Sequence, residues 1–381
     1  MRHASTRAFG LVTQRAPTQN ARVRVGIDTS FVVPRATGIG VYARLLVESF
    51  GRCTPQKGFY CYGGEISASA PNVTHRSTHP WKPWRYAARL ATQLYADRVD
   101  VFHAVANFLA PVWLPCPFVV TLHDLIPFTH PETVSRKHRL LARTWTPFTL
   151  RRARRIICVS PATARDVVAQ FPRVQPKVRV VLNGVRTLAA PLDAIARVRA
   201  AFELPRDYIV AVSAIEPRKN FALLAEVWRS SQGELPPLVV AGQRWHAAES
   251  IEREADGKVR FLGFVPDADL GPLIAGATLF VFPSRAEGFG YPPLEAMRLG
   301  VPVVAAGAGA LPELLDDGAR LLSPDDAPAW RSEIVRLLRD GTARRELALR
   351  GLGVAGRFDM ERCARETVAV YEEAMRDARP F

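Results

Sequence analysis

Short apolar segments rich in β-branched residues recur along the entire chain, and a longer stretch with helical periodicity follows most of them. Segments of about five residues that are apolar on both faces are typical of strands buried in a parallel sheet. Strands that alternate with helices build βαβ units. In the first half, the predicted strands are residues 23–28, 59–63, 99–103, 118–123, 155–160 and 178–182.

The second half repeats this alternation, which predicts a second sheet. At 381 residues, the chain exceeds what one hydrophobic core usually organises. The expected fold class is therefore α/β, with two Rossmann-like doubly wound domains facing a central cleft, where the carboxyl ends of the strands would bind ligands. The predicted strands of this half are residues 208–214, 238–242, 259–263, 279–283, 301–305 and 320–322.

A domain boundary is predicted near residue 187, because the segment from Asn183 to Pro191 has turn residues and no strand pattern. The N-terminal domain would cover residues 21–187 and the C-terminal domain residues 188–358. The last segment, residues 359–381, contains an amphipathic helix that we expect to pack back toward the N-terminal domain.

From the sequence we expect neither a secretion signal nor a membrane-spanning helix in the residues given. Residues 1–20 have scattered arginines and no apolar core, so we expect a disordered tail and not a secretion signal. No run of about 18 apolar residues occurs, which argues against a membrane-spanning helix. The five cysteines are odd in number and include no C-x-x-C pair, which argues against a disulfide framework and a structural zinc site. A cytoplasmic location is the expectation.

Basic residues outnumber acidic ones by 51 to 36, so the formal net charge is +15. Such an excess favours partners that carry phosphate, anionic lipid or nucleic acid. A general bias toward arginine would produce much of the same excess. Because the basic residues are dispersed and no recognised nucleic-acid module appears, a nucleic-acid-binding protein is the less favoured class.

The most informative motif is EGFGYPPLEAM at residues 287–297, directly after a predicted strand. Gly288 and Gly290 let the backbone approach a ligand closely, and the prolines begin a helix, so backbone amides would form an anion site suited to a diphosphate. Glu287 and Glu295 flank this site. Because carboxylates repel phosphates, we expect Glu287 to hold a transferred hexose and Glu295 a ribose. The alternative for Glu295 is that it stabilises the helix N-terminus.

A second motif, EPRKN at residues 216–220, follows the first predicted strand of the second half. Cations at the carboxyl end of a central strand can neutralise a pyrophosphate leaving group. We assign this role first to Lys219 and then to Arg218. A solvated pair on the protein surface is the alternative.

Four motifs together resemble the family 4 glycosyltransferases of the GT-B fold: the E-x7-E element, the IEPRKN stretch, LNGV at residues 182–185 and TGIGVY at residues 37–42. The resemblance covers roughly residues 22–375 and is strongest over residues 205–320. It implies a retaining glycosyltransferase whose N-terminal domain binds an acceptor and whose C-terminal domain binds a nucleotide-sugar donor.

The resemblance implies catalytic roles for Lys219, Glu287 and His123, with His123 lying beside the reacting sugar. Gly38 and Gly40 would belong to the loop that approaches the donor phosphates when the domains close. The complete set of implied donor-binding residues is Arg218, Glu295, Gly288, Phe289, Gly290, Gly38, Gly40, Ser213, Val265 and Asn183, the last in the interdomain segment.

One departure from the family pattern affects the donor diphosphate. Many relatives have an arginine in a G-R stretch after the first C-terminal strand, as a second phosphate ligand. This chain has Ser213 and Ala214 there. We therefore expect the diphosphate to depend more strongly on Lys219.

Two other patterns could be taken for metal sites. The sequence Asp267-Ala268-Asp269 resembles the D-x-D motif that binds manganese in a different fold. Because it follows Pro266, a role at the start of a helix is favoured. The spacing of His103 and His123 fits no familiar ligand set. The resemblance implies enzymes that generally need no metal, so no cofactor is expected.

The implied mechanism is front-face transfer with retained anomeric configuration, in which the departing β-phosphate helps to deprotonate the acceptor hydroxyl. The combination of TGIGVYAR, TLHDLIP and IEPRKN looks most like mannosyltransferases of bacterial surface polysaccharides. GDP-mannose is the first expectation for the donor and a UDP-hexose the second, with base selection around residues 263–265. A nucleotide-sugar epimerase can share this architecture and is the rival enzyme class.

Two stretches of the first half combine aromatic and basic residues: WKPWRY at residues 81–86, and residues 136–155. This combination suits the interface of an anionic membrane. Peripheral attachment through the N-terminal domain would present a saccharide or lipid-linked saccharide acceptor to the cleft. An ordinary surface with snorkelling arginines is the alternative.

Overall fold

The structure, a computed structural model, describes residues 23–33, 38–64, 66, 70–77, 83–106, 114–245, 248–254 and 259–377. Within these residues the chain forms two parallel sheets with helices packed on them, which confirms the predicted doubly wound α/β fold. We refer to the part built on the N-terminal sheet as the first lobe and to the part built on the C-terminal sheet as the second lobe.

The first lobe has a sheet of seven described strands in the order β3-β2-β1-β4-β5-β6-β7, and every neighbouring pair is parallel. The order reverses its direction between β1 and β4, which creates the switch point where such sheets bind ligands. The strands are β1 Arg24–Thr29, β2 Gly58–Gly63, β3 Val73–Ser77, β4 Val101–Ala104, β5 Phe118–Leu122, β6 Arg155–Cys158 and β7 Val178–Val180.

The sheet of the second lobe has the order β10-β9-β8-β11-β12-β13, again with all neighbouring pairs parallel. Its switch point lies between β8 and β11. The strands are β8 Ile209–Val212, β9 Leu238–Ala241, β10 Val259–Gly263, β11 Leu279–Phe282, β12 Val303–Ala306 and β13 Ala319–Leu322.

The helices of the described residues cover both faces of the two sheets. Polar side chains begin several of them: Ser160 accepts a hydrogen bond from the Thr163 amide, and Asp359 accepts one from the Arg362 amide. None of the described helices is both long enough and apolar enough to cross a bilayer. The helices are α1 Gly38–Cys53, α2 Pro83–Ala96, α3 Ile126–Thr129, α4 Arg136–Arg152, α5 Pro161–Gln170, α6 Leu192–Ala201, α7 Phe221–Ser230, α8 Ala248–Glu254, α9 Asp267–Ala275, α10 Tyr291–Arg298, α11 Leu311–Leu315, α12 Ala327–Arg339, α13 Gly341–Ala355 and α14 Met360–Arg376.

The last helix, α14, packs against the first lobe although it follows the second lobe in sequence. Its buried residues Cys363 and Tyr371 belong to the same hydrophobic cluster as Val25 and Ile27 of β1. The Arg155 guanidinium contacts the Glu373 carboxylate at 2.9 Å on the same side. The apolar face of this helix therefore completes the core of the first lobe. The domain boundary near residue 187 stays a prediction.

Candidate active site

The carboxyl ends of both sheets border one cleft of about 570 Å³. The first lobe contributes Gly38, at the start of α1, and His123, which follows β5. The second lobe contributes Lys219, which follows β8, and Glu287, which follows β11. Since β8 and β11 are the neighbours at the switch point, their carboxyl ends bring together residues 68 positions apart.

The backbone after β8 is fixed by Asn220. This residue has a left-handed conformation with φ of 57°, which asparagine tolerates better than most residues. Its buried amide donates hydrogen bonds to the carbonyl oxygens of Pro283 and Pro324, at 3.2 and 2.8 Å. The preceding residues Arg218 and Lys219 end a single 3-10 turn. Asn220 thereby attaches the basic turn to the end of β11.

The Glu287 carboxylate is held from several sides. Its Oε1 accepts hydrogen bonds from the Lys219 ammonium at 2.5 Å and from the Ser284 hydroxyl at 2.6 Å. Its Oε2 lies 3.4 Å from the Arg218 guanidinium. Arg218 also donates to the Ala286 carbonyl at 2.7 Å and contacts Glu216 at 2.6 Å. Two cations and two carboxylates therefore form one nearly buried network on the wall of the cleft.

Burial and charge act in opposite directions on this network. Burial lowers the pKa of Lys219, and the charge of Glu287 only partly offsets this effect. Burial alone would raise the pKa of Glu287, but the nearby Lys219 and Arg218 bring the net pKa below its ordinary value. Glu287 is therefore ionised at neutral pH. One carboxylate does not fully offset the burial of Lys219, so a further negative charge beside it would stabilise its ammonium form.

The turn at residues 288–290 closes the cleft from the second lobe. A side-chain carbon at Gly288 would lie 1.7 Å from the carbonyl oxygen of His123, so only glycine permits this contact between the lobes. Gly290 has a φ of 98°, which also favours glycine. Pro292 and Pro293 have no N–H, so the backbone donors available here belong to the turn and to Tyr291 at the helix start.

His123 faces the cleft from the first lobe. Its Nε2 donates to the Val105 carbonyl oxygen at 2.9 Å, which leaves Nδ1 as the acceptor of a neutral ring. Burial lowers the pKa of His123, so the neutral form prevails at pH 7. The Tyr42 ring packs edge-on against the imidazole with 5.0 Å between the ring centroids. A neutral histidine in a fixed orientation can accept a hydrogen bond from a sugar hydroxyl.

Glu295 lies on α10 and is 4% exposed. Its Oε1 accepts a hydrogen bond from Arg186 Nε at 2.6 Å, and Arg186 also contacts Asp267 at 2.5 Å. Burial raises the pKa of Glu295 despite the charge of Arg186. Glu295, Arg186 and Asp267 all line the cleft.

The far end of the cleft lies at the carboxyl ends of β8, β9 and β10. Ser213 and Val265 line it, together with the exposed aromatic side chains of Trp245 and Phe264. A side-chain carbon at Gly242 would lie 1.7 Å from the Ser213 carbonyl oxygen, so the strand ends approach each other closely. Aromatic rings beside closely packed backbone offer a surface on which a planar base can stack.

The structure places most of the residues predicted for the site around the cleft, but not all. Gly40 lies on the buried face of α1 and does not border the cleft. Asn183 is buried in the interdomain segment and does not border it either. The predicted residues that line the cleft are Lys219, Glu287, His123, Arg218, Glu295, Gly288, Phe289, Gly290, Gly38, Ser213 and Val265.

Several cleft residues were not predicted from the sequence. Arg186 lies between the two lobes, away from the end of any strand that the sequence predicts, and Asp124 directly follows His123. Trp245 follows β9 closely, and its place after the carboxyl end of a predicted strand is a signal that could have identified it. Asp267 was predicted to begin a helix, and α9 does begin there.

In the part of the chain that the structure describes, no group of three or more His, Cys, Asp or Glu side chains is arranged to hold a metal ion.

Comparison with known sequences gives two matches to family models, which lie one after the other along the chain. Residues 38–187 match the model described as Glycosyltransferase Family 4. Residues 206–340 match the model described as Glycosyl transferases group 1.

Two curated relatives from Escherichia coli illustrate the similarity. The O-antigen chain mannosyltransferase B is 32% identical over 294 residues, which cover 72% of this chain and 75% of the relative. The serotype-specific mannosyltransferase WbdA is 30% identical over 262 residues, 64% of this chain. The chain spans about a third of the length of that second relative.

Solved structures share the fold at low sequence identity. HepE from Anabaena, in complex with UDP and glucose, superposes with a TM-score of 0.74 at 19% identity, over 92% of this chain and all of that one. WaaG, a glycosyltransferase involved in lipopolysaccharide biosynthesis, superposes with a TM-score of 0.70 at 14% identity, over 91% of this chain and 99% of that one. These similarities establish the two-lobed arrangement.

Proposed function

The chain belongs to glycosyltransferase family 4, and from this premise we propose that it transfers a hexose from a nucleoside diphosphate sugar to a saccharide acceptor, with retention of the anomeric configuration. It has the GT-B fold of such transferases. The acceptor would enter from the first lobe, and the donor would lie along the second lobe.

One observation carries this proposal. Lys219, Arg218 and the glycine turn at residues 288–290 converge on one wall of the cleft, opposite His123. Two cations, of which Lys219 is buried and Arg218 largely buried, lie next to backbone donors and form a site for a dianionic leaving group. Such a site is costly to build, since buried cations lose hydration, and a bound diphosphate would offset that loss.

The mechanism follows from where charge develops. As the bond between the sugar and the diphosphate breaks, negative charge accumulates on the β-phosphate. Lys219 and Arg218 stabilise this charge, and a phosphate oxygen accepts the proton of the attacking acceptor hydroxyl on the same face. Glu287 contacts the hexose and keeps Lys219 in position, while Nδ1 of His123 accepts a hydrogen bond from a sugar hydroxyl. Transfer then needs no Ser-His-Asp triad.

We propose GDP-mannose as the donor, with a UDP-hexose as the alternative. Support for mannose comes from the names of the relatives from Escherichia coli, both mannosyltransferases. Support for a uridine nucleotide comes from HepE, whose complex contains UDP. The base would stack at the far end of the cleft, near Trp245 and Phe264. The names of the relatives also favour a role in surface polysaccharide biosynthesis.

Thermal unfolding with a panel of nucleotides tests the donor site, because a ligand that binds only the folded state raises the melting temperature. The panel contains GDP, UDP, GDP-mannose, UDP-glucose and UDP-galactose. We expect the largest increase with GDP-mannose, and slow release of mannose when that donor is incubated alone. Proton NMR should detect α-mannose as the first product.

The same experiment separates the rival enzyme class. An epimerase would convert the donor into another nucleotide sugar without releasing free sugar. If no nucleotide raised the melting temperature and no donor were consumed, the proposed function would be wrong.

We further propose that the first lobe attaches to the cytoplasmic face of an anionic membrane, where a lipid-linked acceptor would be located. Support comes from α4, which has six lysines and arginines and no acidic residue. Leu140, Leu141 and Trp145 on this helix are exposed, with Leu140 68% exposed. Ser135 and His138, at the start of α4, line the cleft. A membrane bound along α4 would therefore lie next to the cleft entrance.

The other stretch that the sequence predicts to face the membrane is WKPWRY at residues 81–86. Its residues 81–82 lie outside the described residues.

A further inference from the structure

We propose that Arg186 is a positioning residue for the donor: it holds the Glu295 carboxylate in place to accept hydrogen bonds from the ribose. The inference rests on the proposed function, because it concerns the donor of that same site. It adds a residue from the interdomain segment, outside both sequence motifs of the donor site.

The geometry shows how Arg186 controls the carboxylate. Its Nε donates to Glu295 Oε1 at 2.6 Å, and its Nη1 donates to Asp267 Oδ2 at 2.5 Å. The guanidinium group is planar, so two contacts at different nitrogens fix its orientation and thereby the position of Oε1. Both printed distances of this ion pair join Arg186 to Oε1, so the guanidinium does not occupy Oε2. Because Glu295 lines the cleft, this second oxygen is available to a ligand.

Burial explains why the carboxylate needs such a partner. Glu295 is 4% exposed, and the Arg186 side chain is 13% exposed. An isolated carboxylate at this depth would favour its neutral form, which would turn one of its two acceptor oxygens into a donor. The charge and hydrogen bond of Arg186 lower the pKa of Glu295 and so offset part of the effect of burial, which favours the ionised form with two acceptor oxygens. A ribose has two neighbouring hydroxyl groups that can donate to such an acceptor.

The Arg186 contacts extend to the other lobe. Asp267, which begins α9, also contacts Arg44 of α1 at 3.5 Å. Arg186 itself follows β7 of the first lobe and precedes α6 of the second lobe. The carboxylate proposed to bind the ribose is therefore connected to residues of the interdomain segment and of the first lobe. A simple helix-capping role for Glu295 would not require these contacts.

The test compares the affinity of the protein for a ribonucleotide with its affinity for the analogue that lacks the 2′ and 3′ hydroxyl groups. Isothermal titration calorimetry is performed with GDP and 2′,3′-dideoxy-GDP, and with UDP and its dideoxy analogue if the uridine nucleotide binds more tightly. For the wild type we expect the ribonucleotide to bind at least about tenfold more tightly than its dideoxy analogue. A hydrogen bond to a charged group accounts for a difference of this size. In Arg186→Met the ratio should fall to within about twofold. Glu295→Gln and the double variant should give the same low ratio, because the two residues act through one contact.

Controls separate this role from a loss of folding. Arg186→Lys keeps the charge and should retain a ratio of roughly threefold or more, which tests the inference even if Arg186→Met does not fold. Arg320→Met removes an arginine whose Nε contacts the buried Glu333 at 2.8 Å, an ion pair away from the cleft. This control should keep the wild-type ratio, and circular dichroism monitors folding of every variant.

The outcomes distinguish the two proposals. If neither GDP nor UDP bound to the wild type, the proposed function itself would fail. If the nucleotides bound and Arg186→Met kept the wild-type ratio, the positioning role would be wrong. An equal weakening of the ribonucleotide and its dideoxy analogue would likewise overturn it, because Arg186 would then act only on the overall structure.

Discussion

The Lys219 ammonium lies 2.5 Å from a carboxylate oxygen of Glu287, and both side chains are only about one-tenth exposed. Each residue follows a different strand, and the two strands are neighbours at the switch point of the second lobe. The pair joins the basic turn after β8 to the glycine turn after β11. Removing one member would leave the other buried with less compensation, so catalysis and folding have to be measured together.

The first prediction concerns this pair. Lys219→Met should lower kcat/KM for the donor by roughly 10²–10³, because one preorganised contact to the leaving group is lost. It should also lower the free energy of unfolding by about 3 kcal/mol, since Glu287 stays buried with one cation fewer. The double variant Lys219→Met/Glu287→Gln has neither charge of the pair. Its free energy of unfolding in urea should therefore exceed that of Lys219→Met, while its activity stays low. Activity within a few-fold of the wild type in the single variant would exclude the assigned role.

The second prediction concerns the contact between the lobes at Gly288. Gly288→Ala would place a carbon 1.7 Å from the His123 carbonyl oxygen, so the lobes would have to separate. A shift of about 1 Å in a reacting group can cost roughly 100-fold in rate, and we expect a decrease of that order in kcat/KM. Gly353→Ala is the control, because no atom lies within 4 Å of the added carbon. Equal activity of the two variants would show that close approach of the lobes is not needed.

The sequence predicted the fold well because the signal is strong where strands are buried on both faces. Each of the predicted strands is present, with ends that differ by at most two residues. The strand that was missed, β3, has polar residues Thr74, His75 and Arg76 and lies at the edge of its sheet. An edge strand pairs on one side only and is less buried, so it lacks the continuous apolar pattern.

The candidate site was predictable to the extent that its residues follow strands. Lys219 and Glu287 stand at strand ends, where the fold itself brings side chains together. Arg186 has no such marker, because its proximity to Glu295 depends on how the interdomain segment crosses between the lobes. Gly40 belongs to a glycine motif, but the turn of α1 directs it inward. The roles of these residues stay predictions.

The third prediction concerns attachment to a membrane through α4. Leu140→Glu combined with Trp145→Glu should reduce cosedimentation with vesicles of phosphatidylcholine and phosphatidylglycerol by roughly tenfold or more. Burial of a large apolar side chain contributes about 1.5–3 kcal/mol, and each added carboxylate faces an anionic surface. The control is Leu349→Glu on α13, because Leu349 is 68% exposed, as Leu140 is. Wild-type protein that stays in the supernatant at low salt would remove the proposal.

The fourth prediction concerns a buried polar network behind the cleft. His103 Nδ1 contacts the Tyr371 hydroxyl at 2.7 Å, and its Nε2 contacts the Thr121 hydroxyl at the same distance. Thr121 lies two residues before His123, and α14 provides Tyr371. Burial, with a smaller contribution from His123, lowers the pKa of His103 to about 3. The folded state therefore requires a neutral imidazole at this position.

The sign of the resulting pH dependence follows from proton binding. Between pH 6.5 and 3 the unfolded chain binds a proton at His103 that the folded state excludes, so stability is lost as the pH falls below about 6.5. This single group contributes a loss of about 1.4 kcal/mol per pH unit over most of that range. Urea unfolding at pH 7.0 and 5.0 should show that His103→Gln reduces the loss seen in the wild type by about 2 kcal/mol. The remaining loss includes His123, whose pKa burial also lowers. An equal loss in His103→Gln and the wild type would show that His103 is not the titrating group.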